Sequence, residues 1–121
     1  MAKNLALIYK KYGYGDFKKA EFSKQLKIYI ENSNKYGIPL DNRADYTKSD
    51  WILWSATLAD SIDDFKAIIK PLWDSYNETK DRVPMTDWYM TSTANYQMFK
   101  NRSVLGGFWI KLLEDSKILS E

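Results

Sequence analysis

The stretch SIDDFKAIIKPLWDSY, residues 61–76, decides the fold. Ser61 followed by Asp64 forms a capping box, the arrangement that satisfies the first free N–H groups of a helix. Phe65, Ile68, Ile69, Leu72, Trp73 and Tyr76 then recur at helical spacing, which predicts a helix over 61–78 with one apolar face. Pro71 stands inside that pattern. It lacks an N–H and its ring crowds the preceding turn, so a kink or break is expected near residues 67–70.

Working outward, TKSD at 47–50 is a second capping box, with Thr47 as N-cap and Asp50 at the third helical position. From Trp51 to Ala59 the chain is apolar on nearly every side, the mark of a helix buried all round, expected over 48–59. Further upstream, Asp16 is a plausible N-cap for a helix over 16–36 that carries Phe22, Leu26, Tyr29 and Ile30 at helical spacing. Gly37 would supply its left-handed cap, and Pro39 would prevent continuation. A short first helix, KNLALIYKKYG, ends at Gly13 and Gly15.

Downstream lies the long irregular segment ETKDRVPMTDWYMTSTANYQMFKNR, residues 78–102. A segment of this kind is either functional or hides an element. The last helix is expected over 103–117, with Leu105, Phe108, Trp109, Leu112 and Leu113 on one face. Gly106 and Gly107 weaken it and imply that another backbone passes close. No strand alternation persists, so the expected class is all-α with no sheet, in a single helical domain spanning 1–121.

Composition removes whole classes of chemistry. The chain has no Cys and no His. Disulfides, thiolate nucleophiles, Ser-His arrangements and the commonest transition-metal ligand are therefore excluded. With 18 basic and 16 acidic residues the net charge of +2 gives no nucleic-acid footprint, and the N-terminal lysines read as solvated helix faces. No apolar run has the length of a membrane span, and the apolar stretch near Met1 is too short for a secretory signal. The expectation is a soluble chain, intracellular or cut from a longer precursor, with no cofactor. DNRAD at 41–45 offers oxygens but lacks calcium-loop spacing, so no metal site is expected. Five Trp, nine Tyr and five Phe suit a core, a sugar-stacking platform or an interface.

Two carboxylates are candidate catalytic groups. Asp50 has a structural reading as the acid of its capping box. Asp87 lies in the long segment beside Trp88 and Tyr89, where partial desolvation would raise its pKa toward general-acid duty; a turn aspartate is the structural reading. Arg43, Arg82 and Arg102 are the three arginines, each with a planar fork suited to a carboxylate. Arg43 and Arg102 are candidate substrate-binding groups, while Arg82 reads better as an internal tie. Trp51, Trp88 and Tyr89 could stack on a ligand. Trp54 reads as core.

DNRADYTKSDWILWSATLA, RVPMTDWY and NRSVLGGFWIKLL, three blocks in order across about residues 38–113, resemble the C-terminal part of the glutaminase A-like family. Met90 stands where the family pattern has an aspartate after DWY. The resemblance implies helical hairpins forming part of an α/α toroid similar to six-hairpin glycosidases, in parents that are often secreted or periplasmic. It also implies hydrolysis of the glutamine side-chain amide, with Arg43, Asp50, Asp87, Tyr89 and Arg102 as the candidate site. In such a ring the 41–50 loop would face a pocket and the helix behind it would sit in the wall. The chain offers too few helices to close a toroid. The implied reading is therefore a C-terminal fragment, inactive alone, that associates as a homodimer or larger oligomer through exposed apolar faces. The alternatives are a carbohydrate-binding or glycosidase-like helical module and a structural oligomerisation domain.

Overall fold

The computed structural model describes residues 19–116. Their order is α1 (Lys19–Glu31), β1 (Tyr46–Lys48), α2 (Ser49–Ala56), α3 (Ile62–Glu78), β2 (Trp88–Met90), a 3-10 helix (Ser103–Trp109) and α4 (Ile110–Asp115). The short helix expected over 3–13, residues 16–18 and residue 117 lie outside the described residues.

α3 forms where its stripe and cap predict. Ser61 Oγ accepts the Asp64 N–H at 3.0 Å, and Ile68 and Leu72 are buried. The expected break does not occur: the helix runs through Pro71. Proline removes one ladder bond, but buried Ile68 and Leu72 on either side anchor both turns in the core. No helix among the described residues is long and apolar enough to cross a membrane.

α2 begins differently from its sequence reading. Its N-cap is Lys48, which makes no side-chain cap bond. Thr47 is instead the buried centre of β1, opposite Tyr89. The free N–H of Ser49 donates to the Asp87 carbonyl at 2.9 Å, so a distant loop does the work expected of a local cap. At the other end the helix stops at Ala56. Leu58 N–H to Ser55 and Ala59 N–H to Ala56 then continue as tight turns of 3.1 and 3.0 Å. The expected burial holds for Ile52, Leu53, Ala56 and Leu58, while Trp51, Trp54 and Ala59 are half-buried.

β1 and β2 pair antiparallel, with Tyr46 opposite Met90, Thr47 opposite Tyr89 and Lys48 opposite Trp88. This corrects the expectation of no sheet, while helices remain the main elements of the described residues. Three-residue strands are too short for alternation to register in sequence, and their pairing is non-local. Isolated bridges extend the ordered part of the long segment, with Tyr89 opposite Tyr96.

α1 ends at Glu31, short of residue 36. Gly37 does not cap it but closes a turn with Asn34, at φ +125°. The core gathers Phe22 and Leu26 of α1, Ile52 and Leu53 of α2, Ile68 and Leu72 of α3, with Tyr36, Ile38 and Tyr89 closing it. On the 3-10 helix and α4, only part of the expected face packs inward. Phe108 joins the core margin, while Trp109 is 63% exposed and Leu112 and Leu113 are also exposed.

Gly37→Ala should destabilise the fold by roughly 1–3 kcal/mol. The backbone is in a region L residues avoid, and a Cβ there would lie 3.2 Å from both Ile52 Cδ1 and Tyr89 Oη. Urea unfolding measures this, and an unchanged midpoint would contradict it.

Candidate functional site

The site grows from the peptide Thr86–Asp87–Trp88. Thr86 Oγ1 accepts the Trp88 N–H at 3.1 Å and donates to the Phe99 carbonyl at 2.6 Å, folding the long segment into a rigid turn. That turn sets Asp87 at the head of α2, with its side chain fully buried. Arg102 grips the carboxylate with two groups: Nε donates to Oδ1 at 3.0 Å and Nη2 donates to Oδ2. Lys48 Nζ donates to Oδ2 at 3.2 Å. The Lys48 ammonium lies 4.5 Å from the Trp88 ring centre and 4.7 Å from that of Phe99. The Arg102 guanidinium lies 4.0 Å from the Phe99 ring centre.

A buried carboxylate persists only when paired and hydrogen-bonded. Burial pulls the Asp87 pKa up, but hydrogen bonds from Arg102 and Lys48 and their positive charges outweigh it. The net shift is below the ordinary aspartate value. The expectation that Asp87 is raised toward general-acid duty is therefore corrected: it is a fixed carboxylate, and its bond to Arg102 holds that guanidinium firmly charged.

Asp50, in the first turn of α2, behaves oppositely. Burial raises its pKa and the neighbouring Asp87 charge adds to the rise, against the pull of its own and Trp51's backbone N–H groups and of Lys48. Two nearby acids are driven apart, one held ionised and one nearer protonation. Beside them burial pushes the Tyr76 phenol up to about 12, and its hydroxyl donates to the Thr86 carbonyl at 2.5 Å. Gly107 lets the 3-10 helix approach this face. A Cβ there would sit 2.8 Å from Trp54 Nε1 and 3.2 Å from Asp50 Cβ. The expected close approach is thus to side chains, not to a backbone, and only at Gly107; Gly106 faces open space.

The structure brings together Asp50, Asp87, Arg102 and Trp88 from the sequence candidates. Trp51 is half-buried, its ring centre 6.0 Å from that of Trp54. Tyr89 is buried, its hydroxyl donating to the Tyr36 carbonyl at 2.7 Å, so it is no open stacking platform. Arg43 is exposed and spends its fork on Asp41, at 3.0 and 2.6 Å. Arg82, read as an internal tie, is exposed with no hydrogen bond or ion pair among the described residues. Lys48, Phe99 and Tyr76 complete the cluster without having been singled out. No sequence signal joins Lys48 to a carboxylate 39 positions away.

Asp87→Asn should cost about 2–4 kcal/mol, because two cations lose their buried partner. The stabilisation from Asp87 is complete above the unfolded carboxylate value, about pH 4. It is lost as pH falls through the lower folded value, so the variant should show a flatter acid limb. Asp50 has the reverse sign. A raised folded pKa makes it a liability as pH climbs past the unfolded value, and Asp50→Asn should keep or gain stability at pH 7. Urea midpoints at pH 3, 5 and 7 check both, and equal behaviour of the two variants would refute the divergence. Gly107→Ala should destabilise by about 1–3 kcal/mol while Gly106→Ala is tolerated. The reverse order would contradict the packing.

The comparisons with known proteins cover most of the chain. Residues 6–112 match the family model of the glutaminase A six helical-hairpin domain. A curated relative, Glutaminase A of Aspergillus oryzae, is 38% identical over 96 residues, covering 76% of this chain and 14% of the relative. A probable glutaminase of Arthroderma benhamiae is 36% identical over 93 residues, covering 71% of this chain and 10% of the relative. The chain thus spans only a small part of the length of these proteins. No solved structure matches it. With the family model spanning the described core and the Asp87 cluster alike, the chain belongs to the glutaminase A six helical-hairpin domain family.

Proposed function

We propose that residues 1–121 form a C-terminal portion of the helical toroid of a glutaminase-type amidohydrolase, contributing one wall of its glutamine site. The observation that carries this reading is the opposed behaviour of Asp50 and Asp87, because acids whose pKa values are pushed apart suit separate roles in one reaction. In this reading Asp50 is the proton-handling group. It takes a proton from water as the water oxygen bonds to the side-chain carbonyl carbon of glutamine. It then gives that proton to the departing nitrogen as the C–N bond breaks, yielding glutamate and ammonia. Asp87 stays ionised and fixes Lys48 and Arg102. Arg102 is 38% exposed, and its remaining N–H groups can meet the substrate carboxylate. Trp51 and Trp88 flank the site, while Tyr89 and Arg43 support its walls.

The carbohydrate-platform reading has less support. Tyr89 is buried, and the Trp88 ring already faces Lys48 and Phe99. Association rests on apolar exposure: Trp73 is 67% exposed, and Ile62, Trp109 and Leu112 are also open. Large apolar side chains of this kind favour a partner surface, and a twofold homodimer is the simplest cover.

The isolated chain should therefore associate at micromolar concentration by light scattering and release no ammonia from glutamine. In an intact parent carrying these residues, Asp50→Asn should lower kcat by about 10²–10⁴-fold with KM little changed. Near-normal turnover of that variant, or clear turnover by the isolated chain, would overturn the assignment. A strict monomer would overturn the association.

A further inference from the structure

A concavity lies against the last turns of α3 and the segment that follows it, without the Asp87 carboxylate in its wall. Its volume is about 110 Å³, room for a small ring, while the rest of a larger ligand would extend through its open side. Its walls are largely apolar: Tyr76, Tyr89 and Tyr96 with Val83 and Met85, and Arg82 stands at the rim.

Those walls are fixed from several directions. Thr79 Oγ1 donates to the Ala94 carbonyl at 2.8 Å, the Asp81 N–H donates to Thr79 Oγ1 at 3.2 Å, and the Tyr96 N–H donates to Asp81 Oδ2 at 2.9 Å. Ala94, buried in the wall, has φ +62°, a conformation that non-glycine residues hold only when their surroundings impose it.

Unused hydrogen-bonding capacity decides what could enter. Asp81 lines the same wall and keeps its charge, with Oδ2 tied to the Tyr96 N–H. Arg82, the lining cation, has no hydrogen bond or ion pair among the described residues. Its open planar fork suits a carboxylate, while the tyrosine faces suit a flat or apolar body.

We infer that this cavity binds a small organic carboxylate, with Arg82 holding the carboxylate and the tyrosine-lined floor holding an apolar body. The cavity shares Tyr76 and Thr86 with the wall of the Asp87 cluster, but neither Asp50 nor the Asp87 carboxylate lines it, so the inference does not rest on the Asp50 reading.

Benzoate, its neutral isostere benzamide, and a dipeptide ending in phenylalanine as free acid and as amide are titrated into the full chain. Amide shifts of Ala94 and Tyr96 are followed by NMR. Benzoate should bind saturably and move both amides, and benzamide should bind about tenfold more weakly. Arg82→Gln, a change at an exposed position, should bring benzoate down to the benzamide level, while Lys66→Gln on the exposed face of α3 leaves it unchanged. Tighter binding of the free-acid dipeptide than of benzoate identifies a chain terminus as the source of the carboxylate. The opposite order identifies a free small acid. The inference is overturned by equal binding of benzoate and benzamide, by an unaffected Arg82→Gln variant, or by no saturable shift up to about 10 mM, a concentration that already exceeds any useful affinity.

Discussion

One buried carboxylate sets the positions of parts of the chain that sequence keeps apart. Asp87 reaches Lys48 at the end of β1, Arg102 at the start of the 3-10 helix and, through its backbone carbonyl, the first N–H of α2. Removing an ion from water is costly, and only close opposite charge with good hydrogen bonds offsets that cost. The geometry around Asp87 is therefore tightly specified. The aromatic rings of Trp88 and Phe99 shield the cations from water, which strengthens the same interactions.

That centre explains why Asp50 and Asp87 take different chemical characters although both lie at the head of α2. Asp87 takes the hydrogen bonds of both nearby cations. Asp50 receives burial and the negative field of Asp87, with only backbone N–H groups and a distant share of Lys48 in return. Gly107 admits the 3-10 helix to the face that carries Asp50 and Trp54. Family membership and the electrostatics of the cluster thus bear on one surface, where the start of α2 meets the turn around Asp87.

The helices were legible because their signals are local. Ser61 capping Asp64 and the stripe from Phe65 to Tyr76 need only one turn of context, and the apolar Trp51–Ala59 block reports its own burial. The errors lie where the physics is non-local. Thr47 matches a cap by spacing, yet it pairs across a strand with Tyr89. Gly37 was recognisable as a residue needing positive φ, but its turn is closed by Asn34 rather than by a helix end. For the candidate site, residue type and block name Asp50, Asp87, Arg102 and Trp88, which the structure places together. Lys48 and Phe99 are not named, because a lysine in a charged loop gives no sign of the ring it will rest on. The sign of the Asp87 shift was missed for the same reason: desolvation can be guessed from flanking aromatics, whereas the two compensating cations come from residues 48 and 102.

The pairing of β1 with β2 also carries a kinetic consequence. Tyr46–Lys48 and Trp88–Met90 enclose the whole of α2 and α3 between them. Closing a loop of that length costs chain entropy before any ladder bond offers compensation. Three residues a side supply too few such bonds to initiate folding. The helical pair can nucleate from contacts near in sequence, and its packing then brings the strand ends within reach of one another. The carboxylate cluster is sewn into that seam, so its ion pairs join chain segments that only the packing of the helices between them brings together.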